Sequence, residues 1–184
     1  MCIRDSTNID GQKSSEIDFI DVTITGASRI GNPGDAFAAM EKVNDKAVLG
    51  VSAEAVGVLE TLLQKTVEYS KTRKQFGTVI GTFQALQHRM ADMFIECQLA
   101  RSIVVMAAMK LDSSADQREK TKAVSAAKSR VGKAIRRVSQ EAVQIHGGIG
   151  VTNELDVGHY FKRATALEIM FGNTDYHVER FASL

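Results

Sequence analysis

Two short runs hold the side chains best placed by type and spacing to contact a ligand: Tyr69-Ser-Lys-Thr-Arg73-Lys-Gln-Phe-Gly77 and Gln144-Ile-His-Gly147-Gly148-Ile-Gly150. Each closes a long helical pattern. Arg73 supplies a planar, permanently charged donor fork suited to anionic oxygens. Gly147 and Gly148, having no Cβ, let a ligand approach the backbone. Both runs also admit a plainer use. Arg73 and Lys74 can complement a helix C-terminus capped by Gly77, and Gly147-Gly148 can be an ordinary glycine cap. The second run is not a phosphate loop of the strand-glycine-helix kind, since a helix precedes it. Gln75, Phe76 and Gln84 carry the same two readings: ligand contacts, or a core phenylalanine and two solvated amides.

Other chemistries find little support. His88, His146, His159 and His177 share no metal-ligand spacing and read as surface or packing residues, so no metal site is expected. Cys2 and Cys97 have no paired spacing, which points to a reducing compartment and a cytoplasmic location. A net charge of +1 with 24% charged residues gives no field for nucleic acid or a membrane surface. No apolar run reaches the roughly 20 residues of a membrane span. The methionines of the second long helix read as core filler.

The elements that must position these runs are mostly helical. Met1-Cys-Ile-Arg-Asp-Ser6 resembles a translated adapter scar and is set aside, so the reading frame is expected to be cut on its left side. Alternation from about Glu16 to Ile30 predicts one or two half-buried strands without partners. Gly31-Asn-Pro-Gly-Asp35 marks a turn with Asp35 as helix N-cap. A first helix follows from about Ala36 to Ser70, with Val43, Ala47, Val51, Ala55, Val58 and Leu62 on its apolar face. A second runs from about Phe83 to Leu111 with Leu86, Met90, Met93, Cys97, Ala100 and Val104 inward. A third, about Gln117 to Ile145, buries a slim stripe of Ala127, Val131, Ala134, Val138, Ala142 and Ile145, with Lys128, Lys133, Arg136 and Arg137 off it. Shorter helices are expected near 154–170 and from about Thr174 to the end. The fold class is all-α: an up-and-down four-helix bundle over residues 35–184, preceded by a β remnant at 7–34.

Ala55-Val-Gly57, the Arg73 run, Phe83-Gln-Ala-Leu-Gln-His88 and the Gln144 run stand in the order and spacing of one family. The chain resembles the C-terminal helical domain of acyl-CoA dehydrogenases from about Val22 to Leu184, with the β remnant matching the end of their middle β domain. The resemblance implies FAD as cofactor, held across a subunit boundary. Arg73 would meet the pyrophosphate, Phe76 would pack on the cofactor, Gln75 and Gln84 would bond near it, and Gln144, Gly147 and Gly148 would meet the dinucleotide. It also implies an acyl-CoA substrate, an electron-transferring flavoprotein as acceptor, and a homo- or heterotetramer built as a dimer of dimers.

The resemblance breaks at the catalytic base. Most members place a Glu before a Gly-Thr near the C-terminus, where this chain has Ile169-Met-Phe171-Gly172-Asn-Thr174. A minority carry the base on the first long helix, at the place of Ala47. Neither Phe171, Gly172 nor Ala47 accepts a proton. Glu168, Asp175 and Asp45 are the nearest acids and stand off those positions, so no catalytic residue is assigned. The pattern looks closer to the small subunits of bacterial heterotetrameric members, in which one subunit lacks the base and helps bind flavin for a partner.

Overall fold

The computed structural model describes residues 2–184. Its N-terminal part is a hairpin of β1 (Cys2–Thr7) and β2 (Lys13–Asp18), antiparallel with Cys2 opposite Asp18 and Thr7 opposite Lys13. The expected strands therefore lie elsewhere: pairing stops at Asp18, β2 is exposed, and residues 19–30 hold only a 3₁₀ turn at Gly26–Ser28. Residues 2–6, set aside above, supply the partner strand. The hairpin is set by its turn, where Gly11 takes φ 81° and its N–H donates to the Asn8 carbonyl.

Helix α1 (Ala36–Thr72) begins at Asp35, but the Asp35 carboxylate makes no cap bond and accepts from Asn32 Nδ2 instead. Its buried face is rotated from the expected one. Val48, Ser52, Ala55, Val58, Leu59, Leu62 and Thr66 point inward, while Val43 is 67% exposed. Among the described residues α1 is also long and apolar enough to cross a membrane by length and composition, contrary to the reading of the sequence. Here it packs against α2, α3 and α4. Its buried Ser52 and Thr66 hydroxyls donate to the carbonyls four residues back.

A short hairpin follows, β3 (Lys74–Gln75) and β4 (Thr78–Val79), whose two turn residues Phe76 and Gly77 take φ 54° and 80°. Two consecutive positive φ values make this a type I′ turn, so Gly77 closes the hairpin and does not cap α1. Helix α2 (Gln84–Asp112) buries Met93, Cys97, Ala100, Val104 and Ala107. Burial pushes the Cys97 thiol up to about 12. Of the α2 methionines, Met93 is buried whereas Met106 and Met109 are exposed.

Helix α3 (Gln117–His146) starts at Asp116, whose carboxylate accepts the Glu119 N–H at 2.8 Å. It is the central element and touches α1, α2, α4 (Val157–Ile169) and α5 (Thr174–Ser183). A slim stripe is thus too narrow a description. Thr121, Ser125, Gly132, Ser139 and Lys128 are buried along with the expected apolar row. At Gly132 a Cβ would collide with Thr174 Oγ1, so α5 lies directly on the α3 backbone. Lys128, expected outside, is 2% exposed because Nζ donates to the carbonyls of Leu167 (2.7 Å) and Glu168 (2.8 Å) at the end of α4. The bundle core of Leu59, Leu62, Met93, Ile135, Val138 and Leu167 joins the helices; a truncation such as Leu62→Ala would cost about 2–5 kcal/mol.

Candidate functional site

The up-down-up course of α1, α2 and α3 brings the end of α1, the start of α2 and the end of α3 to one end of the bundle. Three contacts fix that end. Tyr69 stacks on His146 with ring centroids 4.3 Å apart. The Ile80 N–H donates to the Arg73 carbonyl at 2.9 Å. Gln87 Nε2 donates to the Gly81 carbonyl at 2.9 Å. Arg73, Gln75, Phe76, Gln84, Gln144, Gly147 and Gly148 are thereby gathered here, and all seven are exposed. Phe76 is not a core residue: it is 92% exposed, at positive φ, edge-on to Phe83 at 6.2 Å. A bulky residue at positive φ is held there by its surroundings at a cost of about 1–3 kcal/mol. Gly147 takes φ 67° as α3 ends, and at Gly147 and Gly148 the space a Cβ would fill is open. Among the described residues, Arg73 and Lys74 form no ion pair. A free guanidinium, exposed amides and bare backbone at two glycines suit an anionic, extended ligand.

The residues at the two base positions meet on a second feature. Ala47 and Phe171, far apart in sequence, line one apolar cavity of ≈ 540 Å³ together with Ile30, Met40, Val43 and Asn44. Among the described residues no carboxylate lines it. The three nearby acids are turned away or engaged elsewhere. Asp45 is fully buried and accepts from Arg180 Nη1 (2.7 Å), Thr121 Oγ1 (2.7 Å) and Gln117 Nε2 (3.1 Å). Glu168 accepts from Arg136 Nη2 (3.0 Å) and Thr174 Oγ1 (3.0 Å), and lines a different cavity. Asp175 is exposed in the first turn of α5. The cavity is apolar, and among the described residues its wall carries no side chain that can take a proton.

The turn that carries Phe171 is nonetheless firmly built. Phe171 and Gly172 take φ 57° and 102°, and His177 Nε2–H donates to the Phe171 carbonyl at 3.0 Å. His177 is fully buried, with Ser125 Oγ 3.4 Å from Nδ1, and burial lowers its proton affinity, so the neutral ring holds the turn. Lys128 caps the preceding helix, and Asn173 Oδ1 accepts the Tyr176 N–H at 2.9 Å to start the next. Reading the sequence missed Lys128, His177, Tyr69 and Asn44. Two Phe-Gly pairs, 76–77 and 171–172, were the available signal for both turns. Among the described residues no group of His, Cys, Asp or Glu could hold a metal ion.

Comparison with known proteins places these features in a context. The family model described as "Acyl-CoA dehydrogenase, C-terminal domain" matches residues 37–183. A probable acyl-CoA dehydrogenase, YngJ, of Bacillus subtilis is 34% identical over 171 residues, covering 93% of this chain and 44% of the relative. The butyryl-CoA dehydrogenase structure from Megasphaera elsdenii superposes with a TM-score of 0.91 at 28% identity, over 98% of this chain and 47% of that one. A chain of the ChsE4-ChsE5 complex from Mycobacterium tuberculosis gives a TM-score of 0.88 at 27% identity, over 99% of this chain and 48% of that one. The chain thus spans less than half the length of each.

Proposed function

Because the chain belongs to the acyl-CoA dehydrogenase family, through its C-terminal domain, we propose that it serves as the helical domain of an FAD-dependent subunit acting on acyl-CoA thioesters, converting them to trans-2-enoyl-CoA. In this reading residues 7–34 close a preceding β domain and 35–184 form the bundle. FAD would be held across a subunit boundary, its dinucleotide half at the bundle end shared by Arg73 and Gln144: Arg73 would meet the pyrophosphate, Gln75, Gln84 and Gln144 would donate hydrogen bonds, Phe76 would pack against it, and Gly147 and Gly148 would let it approach the backbone. The open space at the two glycines and the unpaired guanidinium support the fit. Bound across that boundary, FAD would supply the acceptor for the β-hydrogen as hydride, with its flavin half remote from the Arg73 end. The rest of the work of this chain is binding and orientation, with water kept from the acyl group by the apolar wall of Met40, Val43, Ala47 and Phe171.

The cavity favours a more specific reading. Dehydrogenation needs a base to take the α-proton, and losing a positioned base typically costs on the order of 10²- to 10⁴-fold. The base positions Ala47 and Phe171 face one cavity with no acid on its wall, and this single observation carries the proposal that the subunit lacks the base and shares a heterotetramer with a partner that has it. A neighbour in structure that is itself a complex of two named components, ChsE4 and ChsE5, supports the same arrangement. The exposed apolar row Phe94, Ile95, Leu99, Val105, Met106 and Met109 on α2 offers a face for tetramer assembly. An electron-transferring flavoprotein would reoxidise the flavin, and the location would be cytoplasmic. The flavin part is tested by the FAD content of the purified intact subunit, alone and with the product of the neighbouring gene. FAD bound in either preparation is expected, and neither binding it would overturn the flavin reading.

A further inference from the structure

Tyr69 touches both runs that form the proposed dinucleotide end. Its backbone carbonyl accepts the Arg73 N–H at 2.9 Å, which fixes the direction in which the chain leaves α1 toward Phe76. Its hydroxyl reaches the His146 carbonyl at 3.4 Å, and its ring stacks on His146 at an interplanar angle of 26°. That carbonyl belongs to the peptide leading into Gly147, where the chain turns to φ 67°. On the far side, Gly150 wraps back so tightly that a Cβ there would stand 2.9 Å from His146 Cβ. His146 Nδ1–H donates to the Ala142 carbonyl at 2.8 Å, so the ring is fixed in its own helix as well. The imidazole is therefore held by Tyr69, by α3 and by the glycine turn, and it is buried.

We infer that Tyr69 and His146 are a positioning pair that locks the Arg73 hairpin and the Gly147-Gly148 turn into one surface for the dinucleotide half of the cofactor. The inference rests on the flavin reading above. Neither residue need touch the cofactor. The pair sets the spacing between a guanidinium carried by α1 and bare backbone carried by α3, two groups that no other aromatic contact among the described residues joins. A ligand that bridges both groups senses that spacing directly, and pre-organisation of the two halves appears as affinity.

The test measures FAD affinity by flavin-fluorescence titration of the intact subunit, in whichever preparation holds FAD (alone or with the product of the neighbouring gene), together with its melting temperature. Tyr69→Leu removes the stack and the hydroxyl, and FAD binding should weaken about tenfold. Tyr69→Phe keeps the stack and should restore affinity to within about threefold of the wild type. Val138→Ala, in the bundle core about two helical turns before His146 and in contact with neither Tyr69 nor the glycine turn in the hydrogen-bond and ring-stacking network, controls for loss of stability. It should lower the melting temperature and leave FAD affinity unchanged. Wild-type affinity in Tyr69→Leu would overturn the inference while leaving the flavin reading intact. Equal weakening by Tyr69→Leu and Val138→Ala would overturn it too, by tracing the effect to general destabilisation. A wild type that holds no FAD either alone or with the product of the neighbouring gene would overturn the flavin reading and the inference with it.

Discussion

Arg180→Met isolates the interaction that holds the N-terminal half of α1 against α3 and α5. Asp45 is fully buried, and its charge is met by one cation, Arg180 Nη1 at 2.7 Å, with Thr121 Oγ1 at 2.7 Å and Gln117 Nε2 at 3.1 Å as neutral donors. The methionine fills similar volume, so the loss is electrostatic. A carboxylate stripped of its only ionic partner among the described residues stays buried with two neutral hydrogen bonds, and breaking such a pair costs about 3–5 kcal/mol. Folding stabilities are about 5–15 kcal/mol, so the effect is large. For a chain of 184 residues each kcal/mol moves the melting temperature by about 2–4 °C, which predicts a fall of about 10 °C. The assay is thermal and denaturant unfolding of this chain by far-ultraviolet circular dichroism, as a double-mutant cycle with Asp45→Asn. The double variant should be more stable than Arg180→Met alone, because the uncompensated charge has gone. A loss under about 1 kcal/mol for Arg180→Met, or no coupling in the cycle, would refute the reasoning. It would also reopen Asp45, one residue past Asn44, as an acid free to serve the cavity.

Further outcomes follow from the same geometry. Burial pulls the Lys128 ammonium down to about 8, against the opposing pull of Glu168, so in the window above pH 8 the unfolded chain holds a proton that the folded one has released. Stability should therefore rise by about 1 kcal/mol between about pH 7.5 and 9, before the raised Cys97 thiol opposes it above about pH 9, and denaturant melts of Lys128→Met should lack that rise. Arg73→Ala should weaken FAD binding by at least about tenfold without moving the melting temperature, since the side chain is exposed; an unchanged affinity in fluorescence titration would remove Arg73 from the site. At Gly172, φ 102° and the Tyr176 ring next to the Cβ position leave no room for a side chain, so Gly172→Ala should cost about 2 kcal/mol or more in thermal melts.

The three long helices were legible because each carries an uninterrupted apolar period. Met93, Cys97, Ala100 and Val104 on α2 and Ala127 to Ile145 on α3 lie inward as their spacing implies. The misreadings arise where burial depends on a partner remote in sequence. Lys128 looks solvated until the carbonyls of Leu167 and Glu168, about forty residues on, receive its ammonium. Val43 looks like core by period, yet it lines the open cavity, and Asp45 takes the inward place because Arg180 neutralises it. The clustering of Arg73 with Gln144 is likewise a product of bundle topology, which local spacing does not encode. The strand positions were displaced because an exposed hairpin is fixed by its turn, here Asn8 to Gln12, rather than by an apolar face.

The decisive measurement is bleaching of bound flavin by an acyl-CoA, recorded at the visible flavin absorbance in anaerobic solution for the intact subunit alone and then with the product of the neighbouring gene. The arrangement of Ala47 and Phe171 around a cavity without a carboxylate predicts no bleaching, or bleaching slower by on the order of 10²- to 10⁴-fold, for the subunit alone, and rapid bleaching once the partner is present. Rapid bleaching by the subunit alone would contradict it and would mean that this polypeptide supplies its own base.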